Sequence, residues 1–359
     1  ISNQFTRRNM NKLNYEWTLK DTNFTKDKGK VFSCFACGGG STMGYKLAGF
    51  DVIGHNDIDK RMIEVYKANH NPKYSFLESI TTFAKRKDLP KELYDLDILD
   101  GSPPCSSFSM AGKREKDWGK DKKFREGQAE QVLDTLFFDF IDLAKELQPK
   151  VVIAENVTGL LMGAAKEYVK KIYRQFNNAG YYCQHWLLDA SEMGVPQRRK
   201  RVFFVCLRKD LAKPFLYFKD MFTEMPKLIL KFNEKTIPFK KVQEVSNNRK
   251  KLSVGLIKHW ENAHNNGRAK AKTGNTFGFF YKAVKNLPVA TITTGATYCI
   301  SDFPELLTDT ELCKCGSFPL DYNFCNNKSQ YLIGMSVPPL ITAKIALEVY
   351  NQWLNKLEL

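Results

Sequence analysis

Acidic residues are in short supply in this 359-residue chain, where 39 Asp and Glu face 55 Lys and Arg and leave a formal net charge of +16. That deficit argues against a cationic partner and for a polyanionic one. Long apolar runs are lacking as well. No segment approaches the roughly 20 apolar residues that cross a bilayer, and the polar, Asn/Lys-rich N-terminus has no signal-peptide stretch. The chain therefore reads as a cytoplasmic protein with no membrane partner. Its nine cysteines form an odd set without the spacing of a disulfide framework, which fits a reducing compartment. Cys34 of Cys34-x-x-Cys37 falls in a strand read as buried, and Cys313-x-Cys315 lacks the usual zinc spacing, so no metal is expected. Internal repeats and extended low-complexity tracts are missing too.

What is present begins with length and rhythm. A chain of this size, 43% apolar, can bury a large core as one big domain or two smaller ones. From Lys30 to Leu207 strand-like and helix-like segments alternate: 31–35, 40–48, 52–56, 60–69, 95–99, 128–147, 151–155, 166–178, 182–188 and 202–207. Such alternation predicts a largely parallel, doubly wound α/β sheet. Residues 208–287 lose the rhythm and carry 18 Lys and Arg against 6 Asp and Glu, an excess of 12 in less than a quarter of the chain. That segment is a candidate polyanion-binding module. Apolar patterning returns after residue 288, and Pro338 to Leu357 reads as an amphipathic helix. The organisation expected is an arm over 1–29, a core over 30–207, an insert over 208–287 and a return over 288–359.

Several sites carry chemistry. Tyr94 to Leu99 reads as a strand that Pro103 and Pro104 bring to a stop, which presents Cys105 at the carboxyl edge of the sheet, where open α/β folds place ligands. Taken alone, a cysteine is more often a small buried hydrophobe than a nucleophile. Phe35-Ala-Cys-Gly-Gly-Gly40 is a glycine-rich turn between a strand and a helix, and Asp57 ends the next strand about twenty residues on, placed to accept bonds from ribose hydroxyls. Glu155-Asn156-Val157 ends another strand, so its carboxylate shares that edge; a helix cap or a surface glutamate is the plainer alternative. Gln197-Arg-Arg-Lys-Arg201 runs straight into an apolar strand, which should turn at least one guanidinium toward the same edge.

With these residues in order, the chain resembles the cytosine-5 DNA methyltransferases of the bacterial or phage restriction-modification type. The resemblance covers about Lys30 to Leu207 and Pro288 to Leu357, and rests on Pro104-Cys105, Glu155 to Val157, and Gln197, Arg199 and Arg201. Thr135-Leu-Phe-Phe-Asp139, Pro288-Val-Ala-Thr-Ile-Thr293 and Gly334-Met-Ser-Val-Pro338 look like further members of the series. It implies a Rossmann-like S-adenosylmethionine-dependent methyltransferase domain with a smaller inserted target-recognition domain, acting as a monomer on double-stranded DNA.

The resemblance also implies roles. Cys105 is the nucleophile, Glu155 the group at cytosine N3, Arg201 the ligand of cytosine O2, and Arg199 its support. Phe35, Gly38, Gly40, Asp57, Glu78, Pro104, Leu136 and Ser336 are implied around S-adenosylmethionine. Ser107, Lys113 and Arg114 in the loop after the cysteine, and Lys250, Lys251 and Arg268 in the basic segment, are implied on DNA. Five positions depart from the pattern: Cys37 for glycine, Ser33 for an aspartate, Ser106 for glutamine, Glu305 for arginine and Met335 for asparagine. Two readings stay open beside this one, a relative acting on tRNA and a DNA-binding relative without catalysis. A nicotinamide oxidoreductase would share the glycine turn but leave Pro-Cys and Glu-Asn-Val unexplained.

Overall fold

The strands of this chain are apolar on both faces where they are central to a sheet, as in Val31-Phe32 and Val151-Val-Ile-Ala154, which is the signature of parallel strands covered by helices on either side. A computed structural model describes residues 13–104, 135–163, 165–220, 223–246, 249–263, 268–270 and 276–357. They form two compact units: one comprises residues 24–188, 200–231 and 345–359, the other residues 1–23, 189–199 and 232–344.

The first unit is built on a seven-stranded sheet. Its strands are β1 (Lys30–Cys34), β2 (Asp51–Asp57), β3 (Tyr74–Leu77), β4 (Ile98–Gly101), β5 (Val151–Val157), β6 (Tyr181–Asp189) and, after the two-residue β7 (Gln197–Arg198) of the other unit, β8 (Lys200–Arg208). The sheet order is β3-β2-β1-β4-β5-β8-β6. β3, β2, β1, β4 and β5 run parallel in that sequence. β8 lies antiparallel to β5, a reversed strand in the largely parallel sheet that the alternation predicts.

Helices cover the sheet where their sequence supplies an apolar stripe. In Ala165–Asn178 the buried positions are Ala165, Tyr168, Val169, Ile172 and Phe176, spaced three and four apart, while the lysines between them face out. Lys60–His70 starts at Asp59, whose side chain accepts from the Arg61 amide, and Gly40–Ala48 ends at Gly49 in the left-handed region, which glycine enters without a steric cost. One core cluster joins the helix Leu136–Leu147 to the sheet, with Phe137 edge-on to Phe204 at 5.6 Å between centroids and Phe32 stacked on Phe83 at 5.5 Å.

Two expected boundaries move. The strand read from Tyr94 begins at Ile98, because Lys91–Tyr94 is a short 3-10 turn and residue 97 is pinned from outside: its carboxylate accepts from the Lys30 amide at 2.7 Å and pairs with Lys150 at 2.7 Å. The helix expected over 128–147 is described from Leu136, residues 128–134 lying outside the described set. The run Ser329–Leu357 is, by length and composition, apolar enough to cross a membrane, contrary to the sequence reading, but 83% of its most apolar window is buried inside the protein.

The second unit holds a three-stranded sheet of β11 (Arg268–Lys270), β12 (Thr276–Ala283) and β14 (Thr297–Ile300), and the helices Val254–Asn262 and Asp309–Gly316. Leu252, Ala263, Phe280 and Cys299 form a small core. Beside it Glu311 is completely buried. Its carboxylate accepts from both terminal nitrogens of Arg249 and from the amides of Glu244 and Thr308, and the Thr308 hydroxyl returns a bond from the Glu311 amide to close a capping box. The chain at 17–20 is tied to this unit, Trp17 donating to the Ser317 carbonyl and the amides of Leu19 and Lys20 to the Asp321 carboxylate.

A buried carboxylate that loses the cation paired with it is left uncompensated in a low-dielectric interior. Arg249→Met is therefore expected to destabilise the protein by about 3–5 kcal/mol, read as a lower unfolding midpoint in urea.

Candidate active site

Five parallel strands that finish at one edge set the geometry of this site, and the reversed β8 begins there. The glycine-rich turn leaves β1 at Cys34 and enters the helix at Gly40. It makes its reversal through left-handed residues at Phe35 (φ 52°), Cys37 (φ 49°) and Gly39 (φ 89°). Only the last of these is a glycine. Asp57, at the end of β2, braces the turn, its carboxylate accepting from the Cys37 amide at 2.7 Å and from the Asp59 amide at 2.9 Å. His70 backs the turn from behind, with Nε2 at 3.4 Å from the Gly38 carbonyl and burial holding its imidazole neutral.

Glu78 follows β3 on the neighbouring strand. Its amide donates to the Asp57 carbonyl at 3.2 Å, and its own carbonyl accepts from Asn56 at 2.8 Å. Arg86 donates to its Oε1 at 2.8 Å while gripping Asp88 with its other nitrogens. Two carboxylates, Asp57 and Glu78, thus stand at the ends of adjacent strands beside an open glycine turn. Acceptors of this kind suit a ribose diol and an exocyclic amine, so the residues present fit a nucleoside such as that of S-adenosylmethionine.

Farther along the same edge, β4 ends in Asp100-Gly101 and passes into Ser102-Pro103-Pro104. The Pro103 carbonyl accepts from the Asn156 side chain at 3.2 Å, which fastens the proline turn to the end of β5. Asn156 is nearly fully buried, and its Oδ1 accepts from the Val157 amide at 2.8 Å. Next to it Glu155 meets Arg201, Nε to Oε1 at 2.9 Å, both side chains largely buried. Antiparallel register explains the meeting. Val157 lies opposite Arg201 and Glu155 opposite Phe203, so residues 155 and 201 project from one face of the ladder on a diagonal.

The other predicted residues are dispersed. Cys105, Ser107, Lys113 and Arg114 lie outside the described residues, which stop at Pro104, a half-buried position, and resume at 135. Phe35 packs its ring against the core near Phe140, Gly38 is buried in the turn, and Leu136 is itself core. Arg199 belongs to the second unit and is buried there, donating to the carbonyls of Ile292, Gly334 and Ser336 at 2.9–3.0 Å. Gln197 acts likewise, bridging the Cys315 carbonyl and the Ile292 amide. The Ser336 hydroxyl is buried without a hydrogen-bond partner among the described residues, a polar atom a ligand could satisfy. Lys250 and Lys251 are exposed, on a segment paired in antiparallel fashion with residues 304–306; Arg268 opens β11. Arg86 and His70 were not singled out by sequence, and Asn156 only as the middle of Glu155-Asn156-Val157. The signal of Asn156 and His70 is weak because each works on a backbone carbonyl remote in the chain, and Arg86 reads as an ordinary surface charge beside Asp88.

Residues 29–351 match the family of C-5 cytosine-specific DNA methylases. The chain is 36% identical over 195 residues to the Type II methyltransferase M.NgoPII of Neisseria gonorrhoeae, covering 54% of this chain and 52% of that one. It is 37% identical over 182 residues to the Type II methyltransferase M.FnuDI of Fusobacterium nucleatum, covering 51% and 48%. The chain spans about half the length of these curated relatives. In fold it is similar to a crystal structure of a prophage-encoded E. coli protein assigned as a DNA modification methyltransferase, with a TM-score of 0.65 at 20% identity over 90% of this chain and 99% of that one.

The glycine turn separates a tolerant position from an intolerant one. A Cβ on Gly39 would meet His70 Nε2 at 2.3 Å and sit at φ +89°. Gly39→Ala is expected to cost about 3 kcal/mol from left-handed strain and overpacking together. Cys37→Gly relieves a left-handed side chain and is expected to change stability by no more than about 1 kcal/mol. Thermal melts of the two variants check both values.

Proposed function

Since the chain belongs to the C-5 cytosine-specific DNA methylases, we propose that it transfers a methyl group from S-adenosylmethionine to carbon 5 of a cytosine flipped out of a specific duplex DNA sequence. The observation that supports this most directly is the Glu155–Arg201 pair beside a proline turn that leads straight into Cys105. Carbon 5 of cytosine is a weak nucleophile. Addition of the Cys105 thiolate to carbon 6 pushes electron density onto carbon 5, which takes the methyl group; a base, water in a relay, then removes the carbon 5 proton and the thiolate leaves carbon 6 as the ring double bond re-forms. Glu155 holds cytosine N3 and the exocyclic amine, and Arg201 keeps its contact to the Glu155 carboxylate while it holds the cytosine O2. S-adenosylmethionine, when bound, supplies the methyl group.

Asp57 and Glu78 hold its ribose and adenine, and the glycine turn admits its chain. Neither role requires a metal. A cytosine stacked in a duplex hides both ring faces, so the base is extruded into the site at a cost of a few kcal/mol. In this reading residues 30–207 and 288–359 carry catalysis and 208–287 reads the DNA, Lys250, Lys251 and Arg268 contributing to phosphate or base contacts. The protein acts as a monomer in the cytoplasm of a bacterial or phage-infected cell, as part of a restriction-modification system.

Tritiated S-adenosylmethionine offered with duplex DNA and with tRNA tests the substrate. Label in DNA is the expected outcome, and label confined to RNA overturns the proposal. A duplex containing 5-fluorocytosine is expected to trap a covalent adduct that Cys105→Ala cannot form, visible as a shifted band on a denaturing gel. Glu155→Gln is expected to lower turnover by about 10²- to 10⁴-fold with folding intact, measured under single-turnover conditions.

A further inference from the structure

Asp100, on β4, is a carboxylate in the interior, with 4% of its surface exposed. It accepts from three hydroxyls: Ser33, its register partner on β1, at 2.7 Å, Ser41 at 2.7 Å and Tyr45 at 3.0 Å. Ser33 precedes the glycine-rich turn, whereas Ser41 and Tyr45 lie in the helix that follows it, so the carboxylate sits beneath the turn and ties its two ends together. The hydroxyls satisfy its lone pairs without neutralising it. The titratable groups that face it are Cys34 on β1, Tyr45 on the helix Gly40–Ala48, Tyr66 on Lys60–His70 and Glu155 on β5, none of them a cation. Glu155 has Arg201; Asp100 has no such partner among the described residues. An uncompensated buried charge is costly where an asparagine of the same shape would serve the packing.

We propose that Asp100 is a fixed anion that makes this site prefer a cationic sulfonium ligand, S-adenosylmethionine, over the neutral thioether S-adenosylhomocysteine that remains after transfer. The inference rests on the reading that this ligand binds against the glycine-rich turn. The two molecules differ by one methyl group and one positive charge, and in a poorly screened interior a nearby anion acts on that difference alone. It raises affinity for the donor, leaves affinity for the product nearly unchanged, and so counters product inhibition.

Burial outweighs the three hydroxyl bonds and pushes the Asp100 carboxyl up to about 6, so it is ionised at neutral pH. The preference for the sulfonium is therefore lost as pH falls through about 6. Stability responds in the opposite sense. A carboxyl raised in the native state favours folding fully below its unfolded value, and that contribution is lost as pH rises through the native one. Removing the charge thus relieves the fold at neutral pH.

The experiment is calorimetric binding of S-adenosylmethionine and S-adenosylhomocysteine to the full chain, wild type and Asp100→Asn, from pH 5.5 to 8, with a melt of each protein. Asp100→Asn is expected to weaken donor binding about tenfold with product binding nearly unchanged. It is also expected to flatten the pH dependence of the ratio and to melt no lower than wild type at pH 7.5. The double substitution Ser33→Asp with Asp100→Ser returns the charge to the same cross-strand pair and is expected to restore the preference. Equal weakening of both ligands, or a ratio unmoved by the substitution, overturns the role of Asp100 and leaves the proposed activity standing. Failure of the wild type to bind either ligand overturns the methyltransferase reading and this inference with it.

Discussion

A strand that runs against its neighbours brings its beginning to the edge where theirs finish, and the first unit's site depends on that reversal. Were β8 parallel to β5, Arg201 would open at the opposite edge, some strand length away from Glu155. The antiparallel ladder instead pairs the first residues of β8 with the last of β5, and alternation puts the guanidinium on the carboxylate's face. Everything else at this edge is delivered by strands that end: Cys34 by β1, Asp57 by β2, Asp100 by β4 and Asn156 by β5. The reversed strand alone delivers a residue at its start, and that residue is the cation.

The edge also shows how a glycine-rich turn survives with fewer glycines than its pattern suggests. Two of its three left-handed residues carry side chains, Phe35 and Cys37. Each costs about 1–2 kcal/mol relative to an ordinary backbone, and the turn is over-determined by bonds that offset this. Asp57 takes the Cys37 amide, the Ala36 amide donates to the Asn56 carbonyl, and Asp100 anchors the hydroxyls on either side. Strain held in this way is concentrated where a ligand approaches the backbone.

Strand and helix alternation was legible in the chain because parallel strands buried on both faces are written as apolar runs, and amphipathic helices between them as stripes. The misplaced start of β4 has a physical cause. Leu93 and Leu96 are buried, but in a 3-10 turn and its exit, so apolarity there signals the core without signalling a strand. The two arginines of Gln-x-Arg-x-Arg look equivalent in sequence, since residues two apart on a strand share a face. The strand is broken between them, β7 ending at Arg198 and β8 starting at Lys200, and Arg199 in the gap donates to carbonyls of its own unit while Arg201 pairs with Glu155. Asp100 was hidden for a different reason. Its three partners are 55 to 67 positions away, so the hydroxyls that make a buried carboxylate tolerable could not be seen from its neighbours.

The Arg249–Glu311 pair joins positions 62 apart, and the core of Leu252, Ala263, Phe280 and Cys299 hangs between them like a bag drawn shut at its neck. A closure at the root leaves the length of what it encloses loosely constrained. A change of length between residues 249 and 311 costs little extra closure entropy, roughly 0.6 kcal/mol per doubling, provided the arginine, the glutamate, the Thr308 cap and the stretch around Ile292 that Gln197 and Arg199 hold are kept. An insertion within the loops of this small core is in this way tolerated as long as the ion pair at its neck is left intact, because the pair and not the enclosed length fixes where the segment begins and ends.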